Sequence, residues 1–440
     1  MRTTDNNGGT LLKNLIGFKN LNIEDLSCIA NKPLIDLQQD NPDFLVFPQS
    51  LGQYHDDVEK SHIFSLDKEK LTTYNLMGFV GRNSTQLTIS SRFAKDDNND
   101  YFLHYMLQKV FSINLLKFDQ TRNKENIWDF LLYLFPYFLK KAYSQGLYKA
   151  YRKVEYSDAH VKGTIDVKRH IIKNIPSTGK IAYTTREHSY NNDLTQLIRH
   201  TIEYIKTQPF ASGLLTNDSE VRDIVNNFNF VTQDSYNINS RQKIIHANFK
   251  PVFHPYFTEY NMLQKICLQI LRRDKLTYGK KKEKVYGLLF DGAWLWEEYL
   301  NTFLKNDYIH PENKTGKHRN YLFKNFQSIY PDFISKNNPK KVGDAKYIPL
   351  DRQHAYSENS ERATSIYYKT IAYMYRFSSD NGFLLFPHQK TSFFEPYTIK
   401  ETDGILKKIG LAIPQTSKSF IEFVKLMGEN EKELLTNLSN

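Results

Sequence analysis

Two carboxylates and a lysine stand in a spacing that suits phosphodiester chemistry. Tyr330-Pro331-Asp332-Phe333-Ile334 is followed by Val342-Gly343-Asp344-Ala345-Lys346-Tyr347, so that Pro-Asp precedes Asp-Ala-Lys by eleven intervening residues. Asp332 and Asp344 can supply anionic oxygens to Mg²⁺, which takes oxygen ligands and keeps several of its waters. A cation held there polarises a phosphate, lowers the pKa of a bound water and neutralises charge on a leaving oxygen. Lys346 can orient that water or stabilise developing charge. Whether it can also serve as a base depends on opposed influences: a metal depresses its pKa, and two carboxylates raise it.

The flanking residues predict how the three are brought together. Apolar Phe333 and Ile334 follow the first Asp, and Val342 and Tyr347 bracket the second group. Ser335-Lys336-Asn337-Asn338-Pro339-Lys340 between them has turn composition. A strand, turn and strand result. Side chains two apart on a strand share a face, so Asp344 and Lys346 project together and the hairpin brings Asp332 alongside. Upstream, Trp294-Leu295-Trp296-Glu297-Glu298-Tyr299-Leu300 has the apolar spacing of a mostly buried helix. Its paired glutamates are costly there unless partnered, and the spacing leaves open which of Glu297 and Glu298 faces the site. A second helix is predicted over Ala363 to Phe377, with Lys369 within it.

The order of helix with Glu, strand with Pro-Asp, strand with Asp-Ala-Lys, and helix resembles the PD-(D/E)xK nuclease core. More narrowly it resembles the McrC family, the nuclease subunit of McrBC-type restriction systems, with the related LlaJI-like proteins. Further pieces carry the likeness in the same order: Leu87-Thr88-Ile89-Ser90-Ser91-Arg92-Phe93, Asp100 to Leu107, Lys162 to Val167, Arg186 to Asp193, and Tyr368-Lys369-Thr370-Ile371-Ala372-Tyr373. The resemblance implies Asp332 and Asp344 as metal ligands, Lys346 as the catalytic lysine, and Glu297 as the helix glutamate, ligating directly or through water. Lys369 falls where many members carry glutamine, which points to phosphate contact or water positioning. It also implies Mg²⁺, with Mn²⁺ able to substitute, DNA as substrate, and a McrB-like AAA+ ring as partner, hydrolysing GTP or ATP.

Composition sets outer bounds. The 440 residues can hold two or three domains. Cys28 and Cys267 are the only cysteines, too few for a disulfide framework or a thiolate zinc site, which fits a reducing bacterial or archaeal cytoplasm. The polar start, Met1 to Gly9, lacks a signal-peptide core, and the greasiest run, 127–139, contains Asp129 and Pro136 and is too short to span a bilayer. No membrane association is expected. The net charge of +11 is uneven: residues 1–100 carry −4, 101–350 carry +15, and 351–440 carry zero. Such a bias is the footprint of a phosphate-backbone binder. Its dense runs are Arg272 to Lys275, Lys162 to Lys173, and Lys280 to Lys284, the last read as a solvated loop. Gly-Lys at 179–180, 279–280 and 316–317 is never followed by Ser or Thr, so no phosphate loop is present and no nucleotide should bind this chain.

The expected fold class is α+β (mixed α/β). Residues 1–110 form an N-terminal β-rich module, expected to dock on the motor. Residues 111–284 form a mainly helical basic middle region, 285–400 the PD-(D/E)xK domain, and 401–440 a helical tail; Asn237 to Arg241 reads as loop. The leading expectation is a metal-dependent DNA endonuclease subunit of a restriction complex, active in defence against foreign DNA when driven by its NTPase and stimulating that NTPase. The alternatives are a non-catalytic activator of the motor, or a stand-alone nuclease acting in repair or on RNA.

Overall fold

The structure is a computed structural model. It describes residues 1–17, 22–41, 44–48, 62–83, 85–94, 100–111, 126–208, 211–276, 285–311, 320–324, 326–337, 340–350 and 359–439. The Lys280 to Lys284 run and the middle of the 335–340 turn lie outside these residues. The chain forms two compact units, 121–280 and a second built from 1–120 together with 281–440.

The composite unit contains two main sheets. The first runs through β1 (Arg2–Thr4), β2 (Phe44–Phe47), β3 (Leu76–Arg82), β4 (Thr85–Ser90) and β5 (Val285–Asp291), in the spatial order β1-β4-β3-β5-β2. β4 shows why the segment is a strand: Thr85, Leu87 and Ile89 are buried while Gln86, Thr88 and Ser90 are partly open, the alternation of a half-covered sheet. β5 pairs antiparallel with β3 and parallel with β2. Its Val285 and Leu289 sit in one hydrophobic cluster with Leu26, Leu37, Phe44, Val80 and Leu87. The sequence places 285–291 at the start of the nuclease domain; its hydrogen bonds and packing place it in the N-terminal sheet. A strand's own residues announce its type, but not which edge it joins.

The second sheet has β6 (Tyr308–Ile309), β7 (Phe333–Ser335), β8 (Lys341–Ala345), β9 (Asn381–His388), β10 (Phe393–Thr398) and β11 (Ile405–Ala412), in the order β6-β7-β8-β9-β11-β10. β7 and β8 are antiparallel, as the hairpin reading expects. β8, β9 and β11 run parallel. β9 and β11 are buried at every position but the first, the mark of strands covered on both faces. β11 lies in the segment expected as a helical tail, so only the second half of that segment is helix.

Four helices frame this sheet: α1 (Tyr101–Val110), α2 (Gly292–Leu304), α3 (Asn359–Arg376) and α4 (Phe420–Ser439). α3 packs on the sheet through Ile366 against Leu384, Phe386 and Leu406, and through Tyr373 and Met374 against Val342 and Ile334. α2 follows β5 without a linker. Asp291 ends the strand and caps the helix, accepting from the Trp294 N–H at 2.7 Å. α1, α2 and α4 meet at Glu431, whose Oε1 accepts from the Tyr105 and Tyr299 hydroxyls at 2.7 and 2.8 Å while Lys109 pairs with Oε2 at 3.2 Å.

The unit 121–280 is built on helices Asn126–Tyr143, Asp193–Thr207, Ser219–Thr232 and Tyr260–Leu276, with a small antiparallel sheet of Ala150–Asp158, Ile181–Ser189 and Thr164–Ile165. The basic run at 162–173 covers the short strand and helix Val167–Asn174, where Lys162, Lys168 and Lys173 are exposed. Asn237 to Arg241, expected as loop, instead leads into helix Arg241–Ala247. Together the two units give the mixed α/β chain expected from sequence.

Gly78 lets β3 lie against β5. Its φ is +127°, and a Cβ there would strike the Leu288 carbonyl. Gly146 also has positive φ (+91°) but faces open space. Gly78→Ala is therefore expected to cost about 2–4 kcal/mol, strain plus overpacking, and Gly146→Ala about 1–2 kcal/mol, measured as shifts in urea-unfolding midpoints. Equal shifts would mean that the close approach of β3 and β5 is not tight.

Candidate active site

The hairpin of β7 and β8 joins Asp332 to Asp344. Phe333 pairs with Gly343, and the Asp332 N–H donates to the Gly343 carbonyl at 3.2 Å. Gly343 is required because any side chain there would drive into the Phe383 ring on β9. Both carboxylates are buried, Asp332 being 6% and Asp344 1% exposed. Asp332 Oδ2 accepts from the Ala345 N–H at 2.8 Å, so the backbone between Asp344 and Lys346 holds the first carboxylate. Lys346 Nζ lies 2.5 Å from Asp344 Oδ2, as expected for side chains two apart on a strand.

The electrostatics divide the pair. Burial, the neighbouring Asp344 and Glu297 push Asp332 well above the ordinary carboxylate range. Burial also works against charge on Asp344, but the Lys346 ammonium, a hydrogen bond from Asp332 and the more distant Lys369 outweigh it and hold Asp344 below its usual value. Two adjacent buried carboxylates do not both ionise without a compensating cation. Asp344 thus carries the charge and Asp332 the proton. Burial disfavours the Lys346 ammonium, yet Asp344 and Asp332 raise its pKa above that of a free lysine. Held this way, Lys346 is a cation.

The helix glutamates separate as well. Glu297 lines a cavity of about 460 Å³ together with Lys346, and its charge acts on both Asp332 and Lys346. Glu298 faces His310, with Oε1 3.9 Å from Nε2. Lys369, one helical turn before Tyr373, sets its ammonium 5.9 Å from that ring and adds to the field that keeps Asp344 ionised. All five expected residues therefore gather around the hairpin, with Lys369 on the exposed rim.

Sequence reasoning does not find His310 or Tyr347. His310 Nδ1–H donates to the Asp332 carbonyl at 2.7 Å and its ring stacks on Phe333 at 5.1 Å, fixing the first carboxylate from behind. Tyr347, beside Lys346, is clasped by the N-terminal module: its hydroxyl lies 2.6 Å from Ser91 Oγ, and the Arg92 guanidinium sits 4.9 Å from its ring centre. A histidine and a tyrosine far from their partners in sequence give no spacing signal.

The residues present fit a divalent cation. Apart from the Asp332 carboxyl, buried Asp344 Oδ1 meets no hydrogen-bond donor, and a buried anionic oxygen so sparsely partnered gains from a cation. Among the described residues no three His, Cys, Asp or Glu side chains form a closed cage. The donor set is therefore the Asp pair, the one or two carboxylates with which Mg²⁺ is commonly held when it retains waters.

Asp332 has a pKa raised above its unfolded value of about 3.9. The native state then holds a proton that the unfolded chain has released, so this residue costs stability as pH rises above about 4. Asp332→Asn keeps the acceptor for Ala345 and removes that cost. In chelator, it should melt higher than the wild type at pH 7–8, with the gain shrinking toward pH 4. A lower melting temperature at pH 8 would contradict the protonated assignment.

Comparisons with known proteins bear on the family and the fold of the chain. The family described as McrBC 5-methylcytosine restriction system component matches residues 71–387, well over half of the chain. A structure of Thermococcus gammatolerans McrB AAA+ hexamers with bound McrC aligns with 100% of this chain and 99% of that one, at 15% identity and a TM-score of 0.53, a likeness of fold. A cryo-EM structure of the Thermococcus gammatolerans McrBC complex aligns over 69% of this chain and 87% of that one, at 16% identity and a TM-score of 0.33, too low to bear on the fold. The comparison with curated proteins finds no match. By the family match across most of its length, the chain belongs to the McrBC restriction-system components.

Proposed function

We propose that this chain is the nuclease subunit of its restriction complex, hydrolysing DNA phosphodiester bonds with Mg²⁺ at Asp332 and Asp344. The observation that carries the reading is the buried Asp332–Asp344 pair, in which Lys346 covers Asp344 Oδ2 and, apart from the Asp332 carboxyl, no other hydrogen-bond donor reaches Oδ1. When bound, the cation supplies Lewis-acid polarisation of the phosphate and an activated water. The chain's own groups do the rest. Lys346, charged and donating, orients the attacking water or steadies charge on the phosphoryl oxygens. Glu297 keeps Lys346 charged from the cavity side. His310 holds the Asp332 backbone, so its carboxylate cannot swing from the pair. Lys369 on the exposed face of α3 meets a backbone phosphate.

Like the McrC bound to McrB hexamers in Thermococcus gammatolerans, this chain is proposed to work with an AAA+ ring that hydrolyses GTP or ATP and delivers DNA to the site. Support comes from the family and from the absence of any phosphate-loop sequence in this chain.

The test is DNA cleavage in Mg²⁺ by the complex of this chain with its ring partner and nucleotide. Lys346→Ala is expected to lower the rate by roughly 10²–10³-fold, and Asp344→Asn by at least as much. Glu297→Gln should also slow cleavage, while Glu298→Gln, which faces His310 rather than the cavity, should leave the rate near wild type. Undiminished cleavage by Asp344→Asn would refute the nuclease assignment and leave a motor activator as the reading.

A further inference from the structure

A second surface beside the candidate site has the chemistry of a base-binding platform. A short hairpin, Asn320–Tyr321 paired with Ser328–Ile329, ends one residue before Pro331-Asp332. At its turn Phe323 and Phe326 stack face to face, with centroids 4.7 Å apart and planes 19° from parallel. The pair is nonetheless open to solvent: Phe323 is 52% and Phe326 64% exposed. The strand leading into the turn is held on both sides. Its Leu322 packs on the cluster of Ile329, Ile334, Val342, Tyr373 and Met374, and Arg376 Nε on α3 donates to the Tyr321 carbonyl at 2.6 Å. Phenylalanines displayed on an anchored turn are therefore not a loose loop awaiting burial.

The helix that anchors the hairpin continues the surface. The outward stripe of α3 carries Tyr368, Lys369, Tyr375 and Arg376, at the spacing of one helical face. Tyr368 is 70% and Tyr375 87% exposed. Over residues 364–376 the charged side chains are Lys369 and Arg376, both basic, and Lys324 on the turn is basic and exposed. Phe326 precedes Asp332 by six residues, at most about 20 Å of chain. Exposed rings interleaved with cations are how a single strand is held: bases stack on the rings and the cations follow the backbone.

We propose that the 320–329 hairpin and the outer stripe of α3 form a stacking platform for unpaired bases next to the bond that is cut. The proposal rests on the nuclease reading for its place in the reaction, but its binding can be measured alone. Stacked bases in an intact duplex hide their faces, so the platform takes an opened or frayed strand. A purely apolar protein partner would not call for Lys324, Lys369 and Arg376 among the rings.

The experiment compares a fluorescent oligothymidylate with an abasic strand of equal length and charge, by anisotropy on the full chain in EDTA. The base-bearing strand should bind tighter, by roughly tenfold or more if at least one ring is stacked. Phe323→Ala with Phe326→Ala, and separately Phe323→Leu with Phe326→Leu, should reduce that preference while leaving abasic affinity unchanged. The leucines keep apolar surface and remove the π-face, so they separate stacking from protein docking. Tyr375→Ala, at a fully open position, should reduce the preference without touching the hairpin. Equal binding of the two strands by the wild type, or full preference retained by the leucine variant, would overturn the proposal. Asp344→Asn, run in parallel, should keep the preference and lose cleavage. If it cleaves normally, the nuclease reading fails while the platform is still judged on the two strands.

Discussion

Everything around the site follows from the burial of two carboxylates within one hairpin. An ionised carboxylate taken from water costs several kcal/mol unless it is paired or protonated, and here two lie side by side. The fold answers with three devices. Lys346 neutralises Asp344, a proton stays on Asp332, and the Ala345 N–H and the His310 ring fix the position of Asp332. A core built only for stability would replace the pair with apolar residues of similar size, which often costs nothing. The retention of the pair at a cost in stability is what the proposed chemistry would require.

The second constraint is that the N-terminal module and the segment carrying the candidate site are not separable. β5 hydrogen-bonds into the N-terminal sheet and at once becomes α2, the helix carrying Glu297 and Glu298. From the other side, Tyr347 inserts beside Ser91 and Arg92, one residue past Lys346. Arg92 is itself fixed by Asp5 at 2.9 Å and Asn75 at 2.6 Å. Burial raises the Asp5 pKa to about 7 even with Arg92 beside it. Two chain segments more than two hundred residues apart thus share one rigid frame, and both Glu297 and Lys346 are positioned by it.

Legibility in the sequence tracked how local each signal was. Asp344 and Lys346 were readable because a strand's period of two is short-range, and Asp332 because a hairpin joins neighbours. α2 and α3 were readable from apolar spacing. What escaped depends on distant partners. β11 carries Lys407 and Lys408 at its centre and so does not read as a buried strand. Yet both lysines are buried, and Lys408 meets Glu395 at 3.4 Å and the Phe393 and Tyr397 rings. The strand Ala150–Asp158 is largely exposed and has no apolar alternation to announce it. Spacing alone did not divide Glu297 from Glu298; the family resemblance favoured Glu297, and the structure sets Glu298 opposite His310.

The site and its rim divide the labour along physical lines. The buried groups proposed to be catalytic gain from low dielectric and fixed geometry, since a lysine and a carboxylate interact far more strongly there than in water. They cannot select or hold a long polymer, because a buried pair reaches one phosphate. Holding a strand requires exposed groups that pay little desolvation before binding, and the rings and cations of the hairpin and α3 are of that kind. α3 joins the two: Tyr373 and Met374 face the core beside Val342, while Tyr375 and Arg376 face outward. On the proposed reading, a strand lying on the outer face would be registered against the carboxylate pair by this single helix, so that packing rather than a loop would set its position relative to the bond to be cut.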